Sequence, residues 1–325
     1  MSRKQHQGIA LITILVMVAL ATILAATIAK RQANTAENTA YLMRQNQSLL
    51  YAKSAEAFFS ELLVDDAENA GEVDHLQENW AKPMPAFPVE DGYVSGVLQD
   101  ESGKFNLNSL VNDDGTPNPL AKAWFEKLLL RVGLPEQLSE AVIDWQDADD
   151  ETIGAMGAEA SYYQGLPQGY LAPNKKFHSV EELKLVRGFE GKKYLQIADY
   201  VTAVPTSDSK VNINTAPAMV LVSLDPKLNI NQVQQAIQQR QAKLEHFSNL
   251  NELWAIEPFS QVSDENRNAV NDLLGVQSNY FKAKIEVLLS ERKRQFSTDL
   301  LRKDQTVSVI YRSMAPFNPL QQPTQ

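Results

Sequence analysis

QGIALITILVMVALATILAATIAKRQ, residues Gln7 to Gln32, decides how the rest of the chain is read. Arg3 and Lys4 precede it, Lys30 and Arg31 close it, and Ile9 to Ala29 between them carries no charge. An α-helix rises 1.5 Å per residue, so this run spans about 30 Å, the thickness of a bilayer's hydrocarbon core. Thr13, Thr22 and Thr27 can return their hydroxyls to the helix's own carbonyls. A core helix of this length would normally show a polar face, and none is present. A cleaved secretory signal is the nearer rival, because ATILAATIA offers the small residues of a cleavage site. Arg3 and Lys4 favour a cytoplasmic N-terminus, although Lys30 and Arg31 beyond the run weaken the charge asymmetry. The expected localisation is the inner membrane, crossed once, with the bulk of the chain on the periplasmic side.

After Arg31, QANTAENTAYLMRQNQSLLYAKSAEAFFSELLV keeps Ala, Leu and Tyr at helical spacing without Pro or Gly. One helix is therefore expected from Ile9 to about Val64, on the order of 80 Å long. Removing residues up to Ala29 would break that continuity. A cut after Gly8 would preserve it.

The 325 residues exceed what one small head domain on such a helix requires. Hydrophobic content of 44% with 22% charged residues indicates a folded chain. A formal net charge of −10 disfavours nucleic acid as a general partner. With no cysteine, disulfides and thiolate chemistry are excluded, and bound metal is an alternative staple.

DDAENAGEVDHLQENWAKPMPAFPVEDG, after the helix, reads as a surface loop. YVSGVLQDESGKFNLNSL then alternates like a strand with a turn at Asp100 to Gly103, and period-two runs return at Phe281 to Leu289 and Thr306 to Tyr311. Helical periodicity dominates between them. PLAKAWFEKLLLRVGL places Leu120, Trp124, Leu128 and Val132 on one face with Gly133 as C-cap, and PEQLSEAVIDW and NQVQQAIQQRQAKL read alike. The expected fold class is α+β: a long N-terminal helix on an antiparallel sheet, with a large all-α domain of helix-hairpin-helix or SAM-like units inserted into the sheet. The expected divisions are a leader at 1–8, a membrane segment at 9–30, and half-helix plus first head portion at 31–109. The inserted helical domain follows at 110–275 and the closing strands at 276–325.

Arg3, Lys4 and Gly8 before an apolar helix beginning at Ile9 resemble the type IV pilins and the pseudopilins of type II secretion. The resemblance implies a prepilin peptidase that cuts after Gly8 and methylates the new amine of Ile9. Pilins usually carry Glu at the fifth mature position, where it meets a neighbouring subunit's terminal amine; here that position is Thr13. An unpaired carboxylate in lipid is costly, so its absence suits a subunit without that neighbour. The departure fits the largest minor pseudopilins, the general secretion pathway protein K family. FNLNSL, DWQDADD…GAEASYY and VNINTAP extend the likeness over nearly the whole chain. The family implies a structural role in protein export across the outer membrane, capping the pseudopilus tip and helping to initiate assembly. Implied partners are the other minor pseudopilins, the major pseudopilin, the prepilin peptidase, the inner-membrane secretion platform and membrane lipid.

IDWQDADDETIGAMGAEASYY gathers Asp144, Asp147, Asp149, Asp150, Glu151 and Glu159. So many carboxylates repel one another unless solvent or a cation intervenes. Asp144 and Asp147 are three apart at a helix end, Asp149 follows in the loop, and Gly154 and Gly157 allow Glu159 to return alongside. Hard oxygens in this number suit Ca²⁺, although the spacing is not that of an EF-hand. A solvated acidic loop is the alternative. The resemblance implies a structural calcium held most directly by Asp147, Asp149 and Glu159, and less directly by Asp144 and Asp150.

Catalysis finds little support. His6, His75, His178 and His246 lack zinc spacing, and there is neither a nucleophile elbow nor a Gly-rich phosphate loop. The alternative function is DNA binding. VNINTAPAMVLVSLDPKLNINQVQQAIQQRQAKL resembles the helix-hairpin-helix of membrane-anchored competence proteins, but its hairpin LDPKLN has no Gly, and Asp225 adds negative charge. FHSVEELKLVRGFEGKKY echoes FSNLNELWAIEPFS, which suggests two related packing units, with Arg187, Lys192 and Lys193 on a solvated face. Asn212, Asn214 and Thr215 are expected to cap the helix that follows them.

Overall fold

The computed structural model describes residues 6–317, with side chains from Ile9 onward. Met1 to Gln5 of the leader, with Arg3 and Lys4, lie outside the described residues. Helix α1 runs without a break from His6 to Asn69, 64 residues, past the end expected near Val64. Its length is about 96 Å at the helical rise. Residues 9–39 are exposed throughout, so the apolar run stands clear of the rest of the chain. Thr13, Thr22 and Thr27 donate to Ile9 O, Val18 O and Ile23 O at 2.8–2.9 Å, which leaves no hydroxyl unsatisfied in the apolar run.

The later half of α1 lays Ala52, Ala55, Phe59 and Leu63 into a buried cluster with sheet residues Val94, Leu98, Ile285, Val287, Phe296 and Leu300. Each large apolar side chain buried there stabilises by about 1.5–3 kcal/mol. The sheet begins with β1 (Met84–Val89) and β2 (Gly92–Asp100). β1 lies in the segment expected to be loop; Pro85 and Pro88 mask its strand character, and both are tolerated because β1 is an edge. Gly96 of β2 has no Cβ because one would stand 2.9 Å from the Phe59 ring.

The chain then leaves the sheet for its helical part. The first unit comprises β3 (Phe105–Asn106), α2 (Pro119–Arg131), α3 (Leu138–Asp144), α4 (Ala160–Gln164), α5 (Lys192–Ile197) and β4 (Val201–Thr202). The second comprises β5 (Val211–Asn212), α6 (Ala218–Val222), α7 (Ile230–Ala242), α8 (Leu250–Ala255), α9 (Asp264–Asn271) and β6 (Leu274–Gly275). A second buried cluster, from Phe105 to Leu274, is theirs alone. On α2 the buried stripe is Ala121, Trp124, Phe125, Leu128 and Leu129; Leu120 is exposed because Asn118 caps the helix and Leu120 falls on the outer side of the first turn. Gly133, at φ +80°, closes α2 in the left-handed region.

The two units repeat one plan. β3 pairs in parallel with β4, and β5 with β6. FNLNSL and VNINTAP supply matching asparagines. Asn108 Oδ1 accepts from Phe177 N at 2.7 Å and its Nδ2 donates to Phe177 O at 2.9 Å. Asn214 brackets Phe247 in the same way, at 2.7 and 3.0 Å. In the second unit a short turn links α7 to Phe247; in the first, residues 145–176 fill that interval and carry the acidic loop.

The chain re-enters the sheet as β7 (Tyr280–Leu289), β8 (Arg292–Lys303) and β9 (Thr306–Ser313), giving five antiparallel strands in the order β1-β2-β7-β8-β9. β8, RKRQFSTDLLRK, has no alternation to reveal it, because Arg294 and Arg302 on its inner face serve α1. Arg292 and Arg294 lie over Tyr41 at the end nearest the apolar run, whereas Arg302 meets Asp66 at the other end of the packed half of α1. Asp100 and Tyr280, where the helical part departs and returns, lie at that second end. The helical part therefore stands at the end of the sheet remote from the apolar run.

Candidate functional site

The site is built on the C-terminal end of α3. Gln146 anchors that end by donating from Nε2 to Leu107 O and Val142 O at 3.1 and 3.0 Å. The chain then wraps back. Ile153 N donates to Asp144 Oδ1 at 3.2 Å, Met156 N to Glu140 Oε2 at 2.8 Å, and Arg187 Nη1 to Gly157 O at 2.8 Å. A side chain at Gly157 would collide with Asp144 Oδ2, so only glycine lets the loop pass this close. The wrap delivers Glu159, at the N-terminal edge of α4, beside the α3 end.

Asp144, Asp147 and Glu159 thereby converge, each offering an oxygen within 4.8 Å of the others, and all three are buried. Burial, and then the neighbouring carboxylates, push their pKa values up: to about 6 for Asp144 and about 7 for Asp147 and Glu159. Asp147 Oδ1 and both Glu159 oxygens accept no hydrogen bond. Buried oxygens in that condition are costly unless a cation takes them. Three hard oxygens on one point fit a divalent ion such as Ca²⁺.

Asp149 and Asp150 lie differently. Both are exposed, and Asp149 Oδ1 accepts from Glu151 N at 2.8 Å. The loop turns outward at these two residues while Ile153 and Met156 are drawn in, so they flank the buried trio and act on it through charge.

The hairpin between α6 and α7 faces inward. Arg131 Nη2 donates to Asp225 O, Pro226 O and Leu228 O, each at 2.9 Å, while the Asp225 carboxylate accepts from Lys227 N and Asn266 Nδ2 at 2.7 Å. Its polar groups thus pack against α2 and α9. The expected caps for α6 are replaced: Pro217 occupies the cap without a side-chain bond. Asn212 Nδ2 instead donates to Asp74 O and Ser278 Oγ, Asn214 holds Phe247, and Thr215 Oγ1 donates to Asp100 Oδ2. Asn212 and Thr215 thus serve the junction with the sheet and Asn214 the interior of the second unit, and none of them bonds the free N–H groups of α6.

Sequence models described as Type II secretion system (T2SS), protein K match residues 103–206 and 211–277, one for each helical unit. The type II secretion system protein K of Pseudomonas aeruginosa is 32% identical, over 96% of this chain and 94% of its own length. That of Aeromonas hydrophila is 30% identical, over 96% and 98%. The chain belongs to the type II secretion system protein K family. The crystal structure of a GspK–GspI–GspJ complex from enterotoxigenic Escherichia coli contains a chain of the same fold, with a TM-score of 0.77 and 24% identity, covering 86% of this chain and all of that one. A protein K is a structural component of protein transport by type II secretion, a minor pseudopilin, and the exposed apolar run of α1 is the segment suited to anchor it.

Glu140, Arg187 and Arg302 have roles in this chain that residue spacing does not reveal. Glu140 and Arg187 hold the acidic loop, and Arg187 also lies over the Tyr162 ring instead of on a solvated face. Arg302 donates to Asp66 Oδ2 at 2.7 Å, to Asp74, and to Ser278 O at 2.6 Å, joining α1, the segment after it and the start of β7. Only the fold brings these partners together.

Proposed function

We propose that this chain caps the tip of the type II pseudopilus and helps to start its assembly. The observation that carries the reading is the position of the helical part, across the end of the sheet remote from the apolar run of α1. A filament grown from α1 bundles meets that broad end last, and the bulk there leaves no seat for another subunit.

In this reading the anchor crosses the inner membrane with its N-terminus in the cytoplasm and the head in the periplasm. The prepilin peptidase cuts after Gly8 and methylates Ile9, the first mature residue. As the bundle forms, Ile9 to Ala29 exchanges lipid contact for contact with partner helices, where packing replaces solvation by acyl chains. Thr13, satisfied by Ile9 O and Ala10 O, asks for no partner amine. The partners are other minor pseudopilins, as GspI and GspJ are for the related GspK, together with the major pseudopilin and the inner-membrane platform.

A calcium ion at Asp144, Asp147 and Glu159 supplies the structural staple of the first helical unit. The reading is supported by the unpaired buried oxygens of Asp147 and Glu159.

N-terminal mass analysis of the mature chain, combined with co-purification of minor pseudopilins, tests the proposal. A methylated Ile9 start with co-purifying pseudopilins is expected. A start beyond Ala25, or an intact Met1 where the peptidase is active, rejects it. Gly8→Trp should leave the precursor uncut.

A further inference from the structure

His75 belongs to the segment joining α1 to β1, and His246 to the turn between α7 and α8. Their rings stack with centroids 4.0 Å apart and planes 16° from parallel. The stack adjoins the backbone junction of head and second unit, where Asp74 N donates to Val276 O at 2.9 Å and Asn212 Nδ2 to Asp74 O at 3.0 Å. We propose that the His75–His246 stack is an acid-sensitive latch, holding the second helical unit on the end of α1 while both rings are neutral and loosening it when both are charged.

The surrounding charges tolerate one imidazolium better than two. On the His75 side, Asp74 is occupied by Arg302, and Glu78 Oε1 stands 3.9 Å from His75 Nε2. The other Glu78 oxygen accepts from His75 N at 2.9 Å and Trp80 Nε1 at 2.7 Å. On the His246 side, Arg240 of α7 donates to His246 O and pairs with Glu245 at 3.7 Å, while Glu252 of α8 accepts from Ser248 N at 3.0 Å. A first proton can lean on Glu78. A second sets like charges face to face, with Arg240 behind them. Burial, and for His246 then the facing His75 ring, hold both imidazoles below the ordinary 6.5. The folded pair thus binds fewer protons than the unfolded chain, so the contact stabilises above about pH 6.5 and is lost as the pH falls below it.

The test uses the full chain in detergent micelles. Carbon-13 labelling of the imidazoles reports each titration, and hydrogen exchange reports residues 70–80 and 243–250 at about pH 7.5 and about pH 5.5. The latch requires His75 and His246 to titrate below 6.5. It also requires intrinsic-rate-corrected protection in both segments to fall on acidification, by up to about tenfold for each histidine between these two pH values. His246→Phe keeps a ring in the stack without a charge and should remove most of that fall. Titration of either ring at or above its ordinary value overturns the proposal, as does an equal fall in His246→Phe. Should that variant fail to fold, the wild-type titration decides alone.

Discussion

At the residue scale, the acidic trio makes the sharpest demands. Raised carboxylate pKa values mean that the ion-free fold binds more protons than the unfolded chain. That contribution is complete at low pH and is lost as the pH rises toward the folded values of about 6 to 7. Calcium requires the ionised form, so its stabilisation should be largest above about pH 7 and fade toward pH 5. At a hundredfold excess over Kd it is worth about 2.7 kcal/mol, a rise of several degrees in the melting temperature of the helical part. Asp147→Ala should abolish the calcium-dependent rise in a thermal melt, while Asp150→Ala, altered at the surface, should keep most of it. Equal melting with calcium and with chelator would remove the metal from the account. Sequence spacing marked this loop as acidic and foldable, but which acids turn inward is set by Glu140, Arg187 and the bare Gly157, whose contacts are long-range.

The elements differ in how far the chain announces them. α1 was legible because from Ile9 onward its apolar run and later stripe continue without Pro or Gly, a continuity that a signal cut near Ala29 would break. β1 and β8 were not, one punctuated by prolines and the other carrying cations whose partners lie on α1. The repeated helical units were visible in FHSVEEL and FSNLNEL, yet the asparagine brackets that make them equivalent join residues far apart in the chain. Those brackets give a graded expectation. Asn108 makes three bonds to buried backbone, including one to Val204 O at 2.8 Å, whereas Asn214 makes two at a half-buried site. With each stranded buried group costing about 1–3 kcal/mol, Asn108→Ala should destabilise by several kcal/mol and Asn214→Ala by less. Urea unfolding followed by tryptophan emission measures both; the reverse order would contradict the grading by buried bonds.

Across the whole molecule, the packed half of α1 with its sheet and the helical part meet through a buried polar junction. Arg302 is enclosed by Asp66, Asp74 and Ser278 O, and Asp100 accepts from Thr215 and from Ser102 N. Removing one partner of a buried ion pair costs about 3–5 kcal/mol, because the remaining charges are left uncompensated. Arg302→Met should therefore lower the melting temperature and increase protease cleavage between α1 and β1; an unchanged cleavage pattern would assign the junction no mechanical role.

In the proposed assembly a single broad head ends the filament. Pseudopili sheared from cells that overproduce the major pseudopilin, decorated with gold-tagged antibody to this chain and imaged by electron microscopy, test it most directly. Gold is expected at one end of each filament. Gold distributed along the shafts would contradict it.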